Sequence, residues 1–137
     1  MAAFEFPIRV YWEDTDAGGI VFYANYLKFF ERARTEWLRR LGIGQQALRE
    51  GLGGMFVVSE AKLKYHRPAR LDDELIVTAR LQDGGRAALT VAQHAWLPDA
   101  VGARRLLCEG VIRIGWVDAA TLKPARMPPA IIEKLNS

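Results

Sequence analysis

The chain has one cysteine, Cys108, in 137 residues. A lone cysteine excludes an internal disulfide and a zinc site built on several thiolates. Histidine is scarce, with His66 and His94 alone, and no cluster of His, Asp and Glu has metal-ligand spacing. No apolar run approaches the ~20 residues that a membrane helix needs. The opening segment, MAAFEFPIRV, lacks a basic n-region and an apolar core. A secretory leader is therefore not expected, and the default location is the cytoplasm. Repeats, low-complexity tracts and linkers are absent. The net charge is only +3. That suits an anionic small ligand or an anionic membrane surface. Nucleic acid requires a denser basic stripe or a recognisable module, and the chain has neither.

What is present is an ordinary globular balance, 50% hydrophobic and 26% charged. The length fits one domain over residues 1–137, large enough to fold without disulfide or metal. Residues 7–13, PIRVYWE, are rich in β-branched and aromatic types and predict a strand. Gly18-Gly19 breaks the chain within a loop at 14–22. From Asn25 to Leu41 the period changes. Tyr26, Phe30, Ala33, Trp37 and Leu41 share one helix face, and Phe29 and Leu38 widen it. Asn25 is placed to N-cap this helix and Gly42 to follow its end. Arg32–Glu36 and Glu36–Arg40 are spaced as i,i+4 ion pairs.

A turn-rich stretch, GIGQQALREGLGG, leads to four segments with period-2 alternation, at 55–65, 74–82, 86–97 and 104–117. In the last, Leu106, Cys108, Ile112, Ile114 and Trp116 are expected to share a face. The closing MPPAIIEKLNS predicts a short helix started by proline. The outline is a strand, a long helix and four strands in a meander. Antiparallel strands of this length twist, and a widely apolar helix needs a concave face to cover it. The expected fold class is α+β, with one five-stranded antiparallel sheet wrapped around one central helix.

The loop EDTDAGG raises the functional question. Aspartates make Asx turns and helix caps, which is reason enough for their presence. A calcium loop fits Asp14 and Asp16 at its first and third positions but fails at Gly18 and Asn25, its fifth and twelfth. Phosphoryl transfer lacks a Gly-Lys-Ser/Thr phosphate cradle. A carboxylate just before a helix start fits a different chemistry. The first amides of a helix are free donors at a positive dipole end, able to hold an oxyanion. A carboxylate facing them can attack an acyl carbon or activate water, and glycines let backbone approach a substrate closely. That combination suits acyl transfer to water.

EDTDAGGIVFYANYLKFFERARTEWL closely resembles the signature of hotdog-fold acyl-CoA thioesterases of the 4-hydroxybenzoyl-CoA thioesterase type. It is most similar to the Tol–Pal-associated acyl-CoA thioesterase group. FVVSEAKLKYHRPARLDD at 56–73 and LKPARMPPAI near the end resemble the same group, so the likeness spans nearly the whole chain. The resemblance implies a hotdog fold paired into homodimers and often homotetramers, with active sites at the dimer interface. It implies Asp16 as the catalytic aspartate and the backbone N–H of Tyr23 as oxyanion donor. It implies no cofactor, coenzyme A being part of the substrate. Many Tol–Pal-associated members have His where this chain has Tyr23. A backbone role survives that change and a side-chain role of His does not.

The expected function is hydrolysis of acyl-CoA to free acid and coenzyme A, with Asp16 as nucleophile or general base. The rival is a non-catalytic module binding acyl-CoA or acyl carrier protein, associated with the cell envelope. A third reading is a scaffold held at an anionic membrane surface by its basic charge, peripheral at the inner membrane. Among the other candidates, Cys108 reads as a core thiol. His66 and His94 show no partner in register and read as structural. Asp14 reads as a turn carboxylate supporting the site, and Asp72 and Asp73 as turn or cap residues. Lys62, Lys64, Arg67, Arg70, Arg104 and Arg105 are the basic side chains available to coenzyme A phosphates.

Overall fold

The computed structural model describes residues 3–136. Met1 and Ala2, from the segment read as leaderless, and Ser137, the last residue of the closing segment, lie outside them. Five strands, β1 (Phe4–Arg9), β2 (Gly54–Tyr65), β3 (Glu74–Gly84), β4 (Ala88–Pro98) and β5 (Arg104–Asp118), form one antiparallel sheet. A long helix, α1 (Tyr26–Arg40), packs against it. A short helix, α3 (Pro129–Leu135), opens on a proline as its sequence predicts.

The strand order is β1-β3-β4-β5-β2, which corrects the expected four-strand meander. Only β3, β4 and β5 meander. β2 pairs with β5 at one edge, and the link at 66–73 then carries the chain back across to β3. That link crosses beside the start of α1. Val21 N–H donates to the Ala69 carbonyl at 2.9 Å, and Ala69 N–H donates to Tyr26 Oη at 3.1 Å. Alternation within a strand reports which face is buried and carries no information about which strand lies alongside.

Three boundaries also move. β1 ends at Arg9, and Trp12–Asp14 form a 3-10 turn instead of a strand end. Its partner β3 begins only at Glu74, after Asp72 turns the chain at φ 71°. Val10 is the last residue held there, its N–H donating to the Asp73 carbonyl (2.8 Å) and its carbonyl accepting from Asp72 N–H (3.0 Å). Within GIGQQALREGLGG the segment Gln45–Gly51 is a helix, α2, with Leu48 buried. Seven residues between glycines are too few to show a helical period. In β5 the expected face fails at its first member. A bulge opposite Ala95/Trp96 shifts the parity, and Leu107 is buried beside Cys108 while Leu106 is only half-buried.

The buried side of α1 is Tyr26, Phe29, Phe30, Ala33, Trp37 and Leu38, together with Arg34. The Phe30 ring lies on Gly110 of β5, where an added Cβ would stand 2.9 Å from Phe30 Cε2. Gln93 of β4, fully buried, donates to the carbonyls of Phe30 (3.0 Å) and Thr78 (3.2 Å). Its Oε1 accepts from Arg34 Nη1 at 2.9 Å. Burial pushes the Arg34 guanidinium below its usual pKa. Gly42 ends the helix as expected, with φ 84°. Its N–H donates to the Arg39 carbonyl and that of Ile43 to the Leu38 carbonyl, a Schellman closure.

Two expectations about α1 fail. Asn25 has helical φ and ψ and makes no side-chain cap; its amide reaches back to Asp14 instead. Glu36 pairs with Arg39, one turn on, and not with Arg32 or Arg40. The Arg40 guanidinium stands over the Phe4 ring, 5.6 Å from its centroid. No helix among the described residues is long and apolar enough to cross a membrane.

Candidate active site

The loop between β1 and α1 is a miniature hairpin. Thr15 bridges Val21, and Ile20 bridges Arg70 in the crossing link. Asp16 N–H donates to the Ile20 carbonyl (2.9 Å), and Gly19 N–H donates to the Asp16 carbonyl (3.0 Å). This closes a turn over Asp16-Ala17-Gly18-Gly19. Gly19 sits at φ 78°, a conformation that glycine adopts without a Cβ penalty. Gly18 N–H donates to Asp16 Oδ1 at 2.8 Å, an Asx turn. A Cβ at Gly18 would stand 3.2 Å from that oxygen. The two glycines thus shape the turn and make room for the carboxylate. Asp16 itself is exposed, and its Oδ2 accepts no hydrogen bond among the described residues.

The returning strand runs directly into a second 3-10 turn, Tyr23–Asn25, which leads into α1. Tyr23 opens this turn, and its N–H has no acceptor among the described residues. The Tyr23 carbonyl is held from the other side by Tyr65 at the end of β2, whose Oη donates to it at 2.9 Å. Burial raises the pKa of Tyr65 and of Tyr26, so both phenols keep their protons well above neutral pH. Tyr23, Tyr26 and Tyr65 pack edge-on, with Tyr65 ring centroids 6.2 Å from Tyr23 and 5.7 Å from Tyr26. These tyrosines, Ile20, His66 and Arg67 are among the residues lining a cavity of about 230 Å³. His66 and Arg67 also line an adjoining cleft of about 720 Å³, whose walls include Arg104 and Arg105. Asp16 is a lining residue of neither.

Cys108 is buried, and desolvation, then the neighbouring Glu109 charge, pushes its thiol up to about 12. It is a core thiol, not a nucleophile. Asp73 Oδ2 accepts from Arg70 N–H at 2.8 Å, and Asp72 takes the positive φ, so the pair holds the turn into β3 as expected. Asp14 is buried in the loop base, accepting from Tyr11 N–H. His66 and His94 were expected to lack partners, and that is corrected. Both approach Glu109, at 3.2 Å and 3.8 Å: β4 pairs His94 with Glu109 directly, and β2 sets Tyr65, the residue before His66, opposite Cys108. Glu109 and Tyr65 belong to this neighbourhood, and neither stands out in the sequence, since only strand pairing brings them there. Among the described residues no group of His, Cys, Asp and Glu is arranged to hold a metal. Arg104 is paired with Glu5 and Lys62 lies 3.9 Å from Glu60.

Residues 10–135 match the thioesterase-like superfamily. The acyl-CoA thioester hydrolase YbgC of Escherichia coli O6:H1 is 40% identical over 134 residues, covering 97% of this chain and 96% of that protein. A probable thioesterase from Bartonella henselae, 32% identical, superposes with a TM-score of 0.83 over 93% of this chain and all of the other. A 4-hydroxybenzoyl CoA thioesterase, at 17% identity, shares the fold with a TM-score of 0.90 over 97% of this chain and 98% of its own. A five-stranded antiparallel sheet packed on one long helix is common to this chain and to these hotdog structures. The chain belongs to the thioesterase-like superfamily and is an enzyme of it, a thioester hydrolase built on the hotdog fold.

Proposed function

We propose that the protein hydrolyses acyl-CoA thioesters, with Asp16 as nucleophile or general base and the Tyr23 amide as oxyanion donor. One observation carries the reading. A carboxylate with an uncommitted oxygen and an amide with no acceptor lie at the two ends of one short hairpin, in a chain 40% identical to an acyl-CoA thioester hydrolase. The thioester carbonyl oxygen is drawn to the Tyr23 N–H, where negative charge develops as the carbon becomes tetrahedral. Asp16 either adds to that carbon or takes a proton from the attacking water. Collapse of the intermediate expels the coenzyme A thiolate, a good leaving group that needs no strong acid; on the nucleophilic route water then cleaves the acyl–Asp16 anhydride, releasing the free acid and restoring the carboxylate. Tyr65 bonds the carbonyl of the same residue, in the peptide that follows the donor N–H, which favours a fixed turn at Tyr23.

The basic cleft shared through His66 and Arg67 fits the phosphates of coenzyme A, which arginine binds by charge and fork geometry. In one chain Asp16 is open to solvent, and β2 ends the sheet with an unpaired edge. A second copy along that edge is the expected means of enclosing the reacting atoms, as a homodimer or a dimer of dimers. The expected setting is the cytoplasm, and acyl carrier protein thioesters are a chemically equivalent substrate.

Thiol release from short, long and aromatic acyl-CoAs, and from acyl carrier protein thioesters, tests the reading. Asp16→Asn should lower turnover by about 10²-fold or more, the usual worth of a positioned base, with the oligomer intact. Near-normal turnover of that variant refutes the assignment of Asp16. Tight acyl-CoA binding with no release by the native protein refutes catalysis.

A further inference from the structure

We propose that Asp14 and Asn25 form a positioning clasp that sets the spacing between the Asp16 carboxylate and the Tyr23 amide. The inference rests on the thioesterase reading and deepens it. Asn25 Nδ2 donates to Asp14 Oδ1 at 2.8 Å across 11 residues of sequence. The other oxygen, Oδ2, accepts from Tyr11 N–H at 2.8 Å. Asp14 is 3% exposed and Asn25 8% exposed. No cation pairs with the Asp14 carboxylate among the described residues.

A buried carboxylate held only by neutral donors is an expensive way to stabilise a loop. Packing apolar side chains there would be cheaper. Hydrogen bonds differ from packing in being directional, and direction is what a site needs. Asp14 lies two residues before Asp16 and Asn25 two residues after Tyr23, so the clasp brackets both working groups. The backbone repeats the link inside it: Phe22 N–H donates to the Asp14 carbonyl (3.1 Å), and Asn25 N–H to the Phe22 carbonyl (2.8 Å). Asn25 also forgoes the capping bond its position offers, leaving its side chain for Asp14. Asp14 and Asn25 touch no reacting atom; they act by fixing residues that do.

The test exploits the polarity of the pair. Asn25→Ala removes the donor. The exchange Asp14→Asn/Asn25→Asp rebuilds both bonds, because the new amide accepts from Tyr11 N–H and donates to the new carboxylate. Thiol release, KM and thermal melting are measured for the native protein, both variants and Asp16→Asn. The expected result is a kcat loss of about 10²-fold in Asn25→Ala, the scale of an ångström-level misplacement, with KM changed by less than about threefold. The exchange variant should recover about tenfold or more of that loss. Turnover within about threefold of native in Asn25→Ala overturns the clasp. So does an exchange variant that regains the native melting temperature and no turnover, since the pair is then purely structural. If Asn25→Ala does not fold, the exchange variant alone decides by the same criterion. A native protein with no thiol release from any thioester overturns the thioesterase reading itself. An active native protein, an inert Asp16→Asn and an unimpaired Asn25→Ala overturn the clasp alone.

Discussion

Single side chains here carry effects that their neighbours in sequence do not announce. Cys108 is the clearest. Its folded pKa is raised to about 12, against about 8.5 for an exposed thiol. Between those values the unfolded chain has released the proton and the folded chain keeps it. This contribution to stability is therefore complete below about pH 8.5 and is lost as pH rises toward about 12. Melting curves should show a steeper alkaline decline for the native protein than for Cys108→Ala, which lacks the group. A thiol reagent at mildly alkaline pH should label the native protein slowly and the urea-unfolded chain fully. Gly18 acts on the site at the same scale. A methyl there would crowd Asp16 Oδ1 from 3.2 Å. Gly18→Ala should lower thiol release while leaving the melting temperature within a few degrees of native, because the crowded atom is at an exposed tip. That aspartate and glycine belong together was legible in EDTDAGG. The reason was not, since the Asx turn and the crowding distance exist only once the hairpin closes.

At the scale of elements, α1 shows how unevenly a helix writes itself into sequence. Its face and its end were legible from apolar spacing and from Gly42. Its start after Asn25 was legible too, but the work of that side chain was not, because Asn25 has the residue type of a cap and a tertiary partner that outcompetes capping. Gly42→Ala places a Cβ at φ 84° and should cost about 1 kcal/mol of unfolding free energy in urea titration. Gly110→Ala tests the helix–sheet contact instead. Its new methyl meets the Phe30 ring at 2.9 Å, so α1 or the ring must move. Overpacking of this kind costs about 1–3 kcal/mol. Gly110 lies in a regular strand with no special φ, so nothing in its own sequence neighbourhood marks it. The helix above it does. Arg34 is similar: it is a charged residue, yet it is buried, and Gln93, from a strand far along the chain, supplies its acceptor.

For the molecule as a whole, the arrangement of strands matters most. β2 lies at the sheet edge with Val58 half-exposed along it. An uncovered edge strand invites pairing with another copy. Light scattering should give a mass that is a multiple of the 15.4 kDa chain. A lysine in place of Val58 should shift that mass downward and lower turnover in parallel. A fully active monomer would show that the site needs no second copy.

Local pattern in the sequence was enough for the class of fold, the long helix, five strand segments and the loop that bears Asp16. Those features depend on residues within a few positions of one another, where helical and pleated periods are set by backbone geometry. Tertiary structure alone decided the order of the strands, the bulge that reverses parity in β5, the helix hidden in the glycine-rich stretch and the bond from Asn25 to Asp14. It also decided that His66, His94 and Glu109 meet. Each of these depends on which distant segments come to lie side by side, and an alternating strand can satisfy its pattern beside any of several neighbours.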